Sequence, residues 1–325
     1  MKEKRLSRFG VIFLSIVLVA CTGGSSEAGC PAIDGREINV VATTPMIGEF
    51  VSQVGGDNIN LTVLMPAEVD PHNYAPSPQD AGKIADADLV FYTGLRYEPS
   101  ALVKLLENSA CSSEVLAEVG ENVFPIEFKE EGHDDHDEEG HDDHEGHDHG
   151  AYDPHFWFDP NRVSYAAEYI ESKLVEFDPS NASDYETAGK AYVTELKGLV
   201  SQVSELISTI PSQNRKLITT HESLGYLEAK FGLEVLSTII PSVDSANEIS
   251  PSQLVGVIDV IEDNNVKVIF IEAEAPSVYA DTIVSETGIK AVEGLWVETL
   301  KEGQSYPEFL FEAVELIVEN LTNTD

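Results

Sequence analysis

SDYETAGKAYVTELKGLVSQVSELISTI, Ser183 to Ile210, is the stretch that decides how this chain is organised. Tyr192, Leu196, Leu199, Val203 and Leu206 recur at helical spacing, Gly189 and Gly198 are its only weak points, and Pro211 closes it. At about 1.5 Å per residue such a helix runs roughly 40 Å, more than one small domain needs. It is either an ordinary core helix of one large domain or a rigid connector between two domains. Its length favours the connector.

Strands and helices alternate on both sides of it. On the N-terminal side, strand candidates fall at residues 37–43, 60–65, 89–93 and 122–128. Thr44-Pro45 and Ser77-Pro78 each place a capping side chain before a proline at the first helical position. Further helices are expected at 99–108 and 161–177. On the C-terminal side, strands are expected at 217–220, 234–240, 266–272 and 289–292. Helices are expected at 223–231, from Ser250-Pro251 to residue 263, at 280–287 ahead of Gly288, and at 307–321. A βαβα order implies a mostly parallel sheet flanked by helices on each side. The expected layout is an N-terminal α/β lobe at 36–180, the connecting helix at 181–210 and a C-terminal α/β lobe at 211–325.

The ends and the charge narrow the class. Lys2, Lys4, Arg5 and Arg8 precede an apolar run over residues 9–20, too short to span a bilayer. Residues 1–20 are therefore read as a signal peptide. Leu18-Val19-Ala20-Cys21 resembles the lipobox of bacterial lipoproteins, which implies cleavage before Cys21 and lipidation of its sulfur. Residues 21–35, rich in Gly and Ser, follow as a flexible tether. The 325-residue chain carries 58 acidic against 19 basic residues, a formal net charge of −39. That balance argues against nucleic acid and anionic surfaces and in favour of cations. Cys30 and Cys111 remain in an exported chain; they could pair or stay apart, and the sequence gives no distance.

The nine histidines fall into two groups. Residues 129–150 hold His133, His136, His141, His144, His147 and His149 among Asp, Glu and Gly, with no apolar residue. Such a segment attracts metals and cannot build a core; it is a candidate auxiliary metal site or a solvated charge run. The other three are His72, in Asp70-Pro71-His72-Asn73-Tyr74, His155, in Asp153-Pro154-His155-Phe156-Trp157-Phe158-Asp159-Pro160, and His221, after a strand-like run. Flanking prolines stiffen the first two. All three fall near strand ends, where open α/β sheets form sites. Three imidazoles suit zinc, with a carboxylate or water completing a tetrahedral shell. The spacings of 83 and 66 residues carry no local signature, and a lone histidine is more often structural than a ligand.

Taken together, these pieces resemble a family: the metal-binding solute-binding lipoproteins of ABC importers, zinc and manganese branch. The matching segments are the lipobox, Val41-Ala42-Thr43-Thr44-Pro45, both histidine motifs, the charged histidine loop, Thr220-His221-Glu222 through Tyr226, Glu248-Ile249-Ser250-Pro251 and Gly288. The resemblance implies two α/β lobes joined by one long rigid helix, with metal in the interlobe cleft. It implies a monomer held outside the cell by its lipid, which binds Zn²⁺ as transported ligand and passes it to a membrane permease. It carries ligand roles onto His72, His155 and His221. Manganese-preferring members typically have Glu at the third position, so His221 and the histidine loop point to zinc. The fourth ligand is usually Asp in a late Leu-Tyr-Val-Asp-Ser-Leu-like run. Here that run is Leu295-Trp296-Val297-Glu298-Thr299-Leu300, so Glu298 is the candidate. Glu222 and Glu272 are weaker candidates, more suited to orienting an imidazole. Asp153 and Asp159 suit turn capping or holding His155.

Two other classes compete. A manganese carrier of the same family differs only in the ion. An extracellular zinc hydrolase would need an open coordination position and a general base, and no His-Glu-x-x-His helix is present. A surface adhesin, acting in cell adhesion, is a third reading.

Overall fold

A computed structural model describes residues 30, 33, 35–128, 152–243, 245, 249–275 and 278–322. The signal peptide, Cys21 and the histidine loop at 129–150 lie outside the described residues.

Capping side chains ahead of prolines start four helices in the same way. Thr44 accepts the Ile47 N–H ahead of α1 (Pro45–Gly55), and Ser77 with Asp80 forms a capping box on α2 (Pro78–Ala85). Asp159 caps α4 (Pro160–Phe177), and Ser250 with Gln253 boxes α7 (Pro251–Asn264). The remaining helices are α3 (Ser100–Ser109), α5 (Ala182–Ser208), α6 (Gly225–Phe231), α8 (Ala280–Thr287) and α9 (Tyr306–Thr322).

The strands form two four-stranded parallel sheets. In the first, β1 (Ile38–Ala42) lies between β2 (Ile59–Val63) and β3 (Leu89–Tyr92), with β4 (Leu116–Glu118) outside β3. The second repeats this order with β5 (Lys216–His221), β6 (Glu234–Ile240), β7 (Val268–Glu272) and β8 (Lys290–Leu295), as β6-β5-β7-β8. Both sheets therefore have a point where the strand order reverses, beside β1 and beside β5. Ligands in open α/β sheets bind at such points, off the strands' C-terminal ends.

The fourth strand of the first sheet departs from the expectation. Residues 122–128 form no ladder strand; Gly120–Val123 is a 3₁₀ turn, and Glu127 makes an isolated antiparallel bridge to Tyr152. The strand lies earlier, at β4, whose three residues are too few for periodicity to reveal.

The connection also differs from a lone rod. α4 packs along the 27-residue α5, and α1 and α9 pack against α5 as well. One continuous apolar core contains residues of both sheets and of α1, α4, α5 and α9, among them Phe50, Phe156, Trp157, Phe158, Tyr306 and Phe309. Fully burying each large apolar side chain stabilises the fold by about 1.5–3 kcal/mol. Polar links reinforce the junction: Trp157 Nε1 donates to Val297 O (2.8 Å), and Tyr306 O–H to Trp157 O (2.7 Å). Cys30 and Cys111 form a disulfide, the pairing the sequence left open.

Candidate metal centre

The four sequence candidates reach one point from four kinds of ground. His72 lies in the loop after β2, on a 3₁₀ turn at Pro71–Asn73 that Asp70 caps by accepting the His72 N–H (3.0 Å). His155 precedes the 3₁₀ turn Phe156–Phe158, whose three aromatic side chains are fully buried. His221 is the last residue of β5, on the strand itself rather than after it. Glu298 follows β8 by three residues. A bulge sets that exit: Ile271 pairs with Glu293 and Glu272 with Leu295, so Gly294 is the extra residue, at φ 90°, which favours glycine.

One ligand atom from each of the four residues lies within 4.8 Å of all the others. Glu298 Oε1 is 3.5 Å from His72 Nε2, 3.1 Å from His155 Nε2 and 2.6 Å from His221 Nε2. Ligands about 2.0–2.1 Å from a tetrahedral zinc stand roughly 3.3 Å apart, so these edges bracket that shell. The Glu298–His221 contact is the shortest of the three. The imidazole planes cross at 64–80°, so the rings converge from separate directions. His155, His221 and Glu298 have no solvent exposure.

A second layer fixes the nitrogens. His155 Nδ1 donates to Asp153 Oδ1 (2.8 Å), which also accepts the His155 N–H (2.8 Å). His221 Nδ1 donates to Glu272 Oε2 (2.5 Å), the last residue of β7. Each carboxylate selects the tautomer that leaves Nε2 unprotonated for a metal. Of the weaker candidates, Glu272 orients an imidazole. Glu222 instead lines a cavity of about 710 Å³ with Asp153, Glu228 and Thr238. Asp159 caps α4 rather than holding His155.

Two residues the sequence reading passed over also act here. Tyr97 is buried and donates to Glu298 Oε2 (2.9 Å), leaving Oε1 toward the imidazoles. It sits at the end of Gly94-Leu95-Arg96, all three with positive φ (76°, 52°, 65°). Such backbone costs about 1 kcal/mol or more for each non-glycine residue. The buried Glu98 braces it, accepting Thr43 O–H (2.7 Å), Thr93 N–H (2.6 Å) and Gly94 N–H (2.9 Å). Glu274 is the second; it accepts the backbone N–H groups of residues 297–299. Neither lies in a histidine-like motif. Only the topology brings residue 97 beside residue 298.

The cluster is built for positive charge. Burial opposes an imidazolium at His155, but the Glu298 charge and Asp153 outweigh it and raise the pKa to about 9. At His221 burial is outweighed by Glu272 and Glu298, and its pKa is raised well above the ordinary value. Burial works against ionised Glu298, yet the three imidazoles hold its carboxyl well below the usual range. Burial and then the Glu298 charge push Glu274 up to about 8. With neutral imidazoles, Asp153, Glu272 and Glu298 bring three negative charges to the centre. A divalent cation offsets two of them.

Two lobes about a buried three-histidine, one-carboxylate cluster define the extracytoplasmic metal-binding proteins that serve ABC transporters. The chain belongs to the family described as zinc-uptake complex component A, periplasmic (ZnuA), whose model it matches over residues 40–320. Among its relatives, the high-affinity zinc uptake system protein ZnuA of Bacillus subtilis is 32% identical over 98% of both chains. The manganese ABC transporter substrate-binding lipoprotein PsaA of Streptococcus anginosus is 28% identical over 98% of this chain and 99% of the relative. The periplasmic zinc binding protein TroA from Treponema pallidum has the same fold, with a TM-score of 0.74 and 23% identity over 88% of this chain and 100% of its own. The protein is thus a metal ABC-transporter solute-binding lipoprotein, extracytoplasmic and membrane-anchored. It is a binding protein rather than an enzyme, as are the transport proteins it is related to.

Proposed function

We propose that this protein captures Zn²⁺ outside the cell and hands it to an ABC-transporter permease, working as a lipid-anchored monomer attached through Cys21. His72, His155, His221 and Glu298 are its ligands. The observation that carries this is the convergence of three Nε2 atoms and one carboxylate oxygen at a buried point between the lobes. Three imidazoles favour a borderline ion such as zinc over oxygen-loving manganese. The histidine loop at 129–150 supplies weaker, exchangeable sites that raise the local supply of zinc. The domain limits stay those drawn at 36–180, 181–210 and 211–325.

A second reading, a manganese carrier, draws on the relatives: of eight similar curated chains, five carry manganese and PsaA or scaA in their names, another is a manganese-binding MntA, and one is a zinc uptake protein. Kinship therefore pulls toward manganese, while the donor set pulls toward zinc. Calorimetric titration of the mature chain lacking residues 129–150 separates them. One tight zinc site that manganese fails to displace supports the first reading. Tight manganese binding that excess zinc does not outcompete supports the second. No tight site for either ion overturns both.

A further inference from the structure

Glu298 delivers its oxygen on a three-torsion arm, and such an arm holds a position only if its base is fixed. Glu274 supplies that base. It stands two residues past the end of β7, while β7 itself ends on Glu272, the partner of His221. Glu274 Oε1 accepts the N–H groups of Val297 (3.1 Å), Glu298 (3.0 Å) and Thr299 (3.2 Å), and Oε2 lies 3.3 Å from Val297 N. Three successive amides converging on one oxygen are the concave arrangement that binds anions. Here the accepting oxygen comes from the neighbouring strand's own extension. Ala273 N–H donates to Leu295 O (2.8 Å), so the two exits are paired up to the point where Glu274 takes over. At the far end of the arm, Tyr97 holds Glu298 Oε2 and also donates to Glu298 O (3.1 Å).

What the arrangement gains is a fixed origin for the Glu298 arm. We infer that Glu274 is the positioning residue that holds Glu298 against the three imidazoles and thereby sets how long the cluster keeps its metal. The inference rests on the cluster being the metal site.

The test uses the mature protein loaded with Co²⁺ alone, whose visible spectrum reports coordination number, and a chelator chase that reads the dissociation rate. Glu274→Ala is expected to speed dissociation about 10- to 100-fold, the usual effect of losing an outer-shell partner, and to change the spectrum as the carboxylate leaves. Glu274→Gln is expected to restore both, because its amide oxygen still accepts the three N–H groups. In a Glu298→Ala background, Glu274→Ala is expected to add nothing, since a residue acting through another is silent once that other is gone. If Glu274→Ala does not fold, Glu274→Asp, one methylene short, takes its place with the same expectation in both backgrounds. A wild-type rate in Glu274→Ala, or an equal acceleration with and without Glu298, would overturn the inference. Absence of a Co²⁺ site in the unmutated protein is a separate result, one that removes the cluster reading and the inference together.

Discussion

His155 and His221 stand on fixed ground, and His72 does not stand on the same kind. Each of the first two has a carboxylate on Nδ1 and no solvent exposure. His72 rides a single 3₁₀ turn in a long loop, capped by Asp70 through its backbone. That same Asp70 accepts a hydrogen bond from Ser245 of the opposite lobe (2.9 Å), and Glu68, at φ 63°, donates its N–H to Leu300 O (3.3 Å). Two imidazoles are thus held by buried strands and aromatics, and one by a loop tied across the cleft. With the cluster as the metal site, the difference predicts separate tasks: the fixed pair defines the site, and the loop is where the ion is let go. The continuous core joins the two lobes, so the same prediction has release begin at the His72 loop.

The largest effect tests the fixed pair. His155→Ala is expected to lower zinc affinity by more than the ~100-fold that marks the upper range for an outer-shell partner. Calorimetry reads it, and affinity near the unmutated level would show that His155 is no ligand. Acidity comes next. Because His155 has its pKa raised to about 9, metal must displace a proton there, and affinity falls as pH drops. From about pH 8 to about pH 6 the loss from this group alone is roughly 100-fold, with His221 adding to it. The sign for the metal-free protein is opposite. A folded pKa raised above 6.5 contributes stability that is complete below that value and fades as pH rises through about 9. The rise in melting temperature on adding zinc should therefore grow between pH 6 and 9; a flat profile would contradict the proton-for-metal exchange.

Asp153→Asn and Glu272→Gln sharpen the contrast further. Each is expected to cost about 10- to 100-fold in affinity, because an amide no longer selects the Nδ1–H tautomer. Equal affinity in both variants and the parent protein would dissolve the distinction between fixed and mobile arms. The smallest effect belongs to the loop. Ser245→Ala removes one hydrogen bond, about 1 kcal/mol, and should speed zinc release in a stopped-flow chase by up to about fivefold. Unchanged release would move the gate elsewhere.

Much of this is legible in the amino-acid sequence. Cap-proline pairs at Thr44, Ser77 and Ser250 mark helix starts because the chemistry is local, and Asp159, read as a turn cap, turns out to start α4 in the same way. His72, His155 and His221 could be picked out because only three histidines lie outside the acidic run, and the structure brings them and Glu298 together. β4 was misplaced because three residues show no alternation. Tyr97 and Glu274 were missed for a different reason: each acts on a residue 201 or 24 positions away through one oxygen, and nothing in their own surroundings records it. The identical order of the two sheets was also hidden, since strand order is a property of the fold and leaves no periodic trace.

The Cys30–Cys111 disulfide has a consequence at the membrane. On the proposal that the lipid is carried by Cys21, nine residues (30 − 21) separate the anchor from the disulfide. A fully extended leash of that length reaches about 30 Å. Without the disulfide the next residue held to the body is Ile33, packed against the core ahead of the Arg36–Asp88 ion pair, and twelve residues (33 − 21) would reach roughly 40 Å. A reach longer by about a third enlarges the searched volume about 2.4-fold and dilutes the carrier at a docking point accordingly. Delivery rates in vesicles with and without reductant would read that dilution. On that proposal the bond is a range setting: a shorter leash keeps one carrier near the same stretch of membrane.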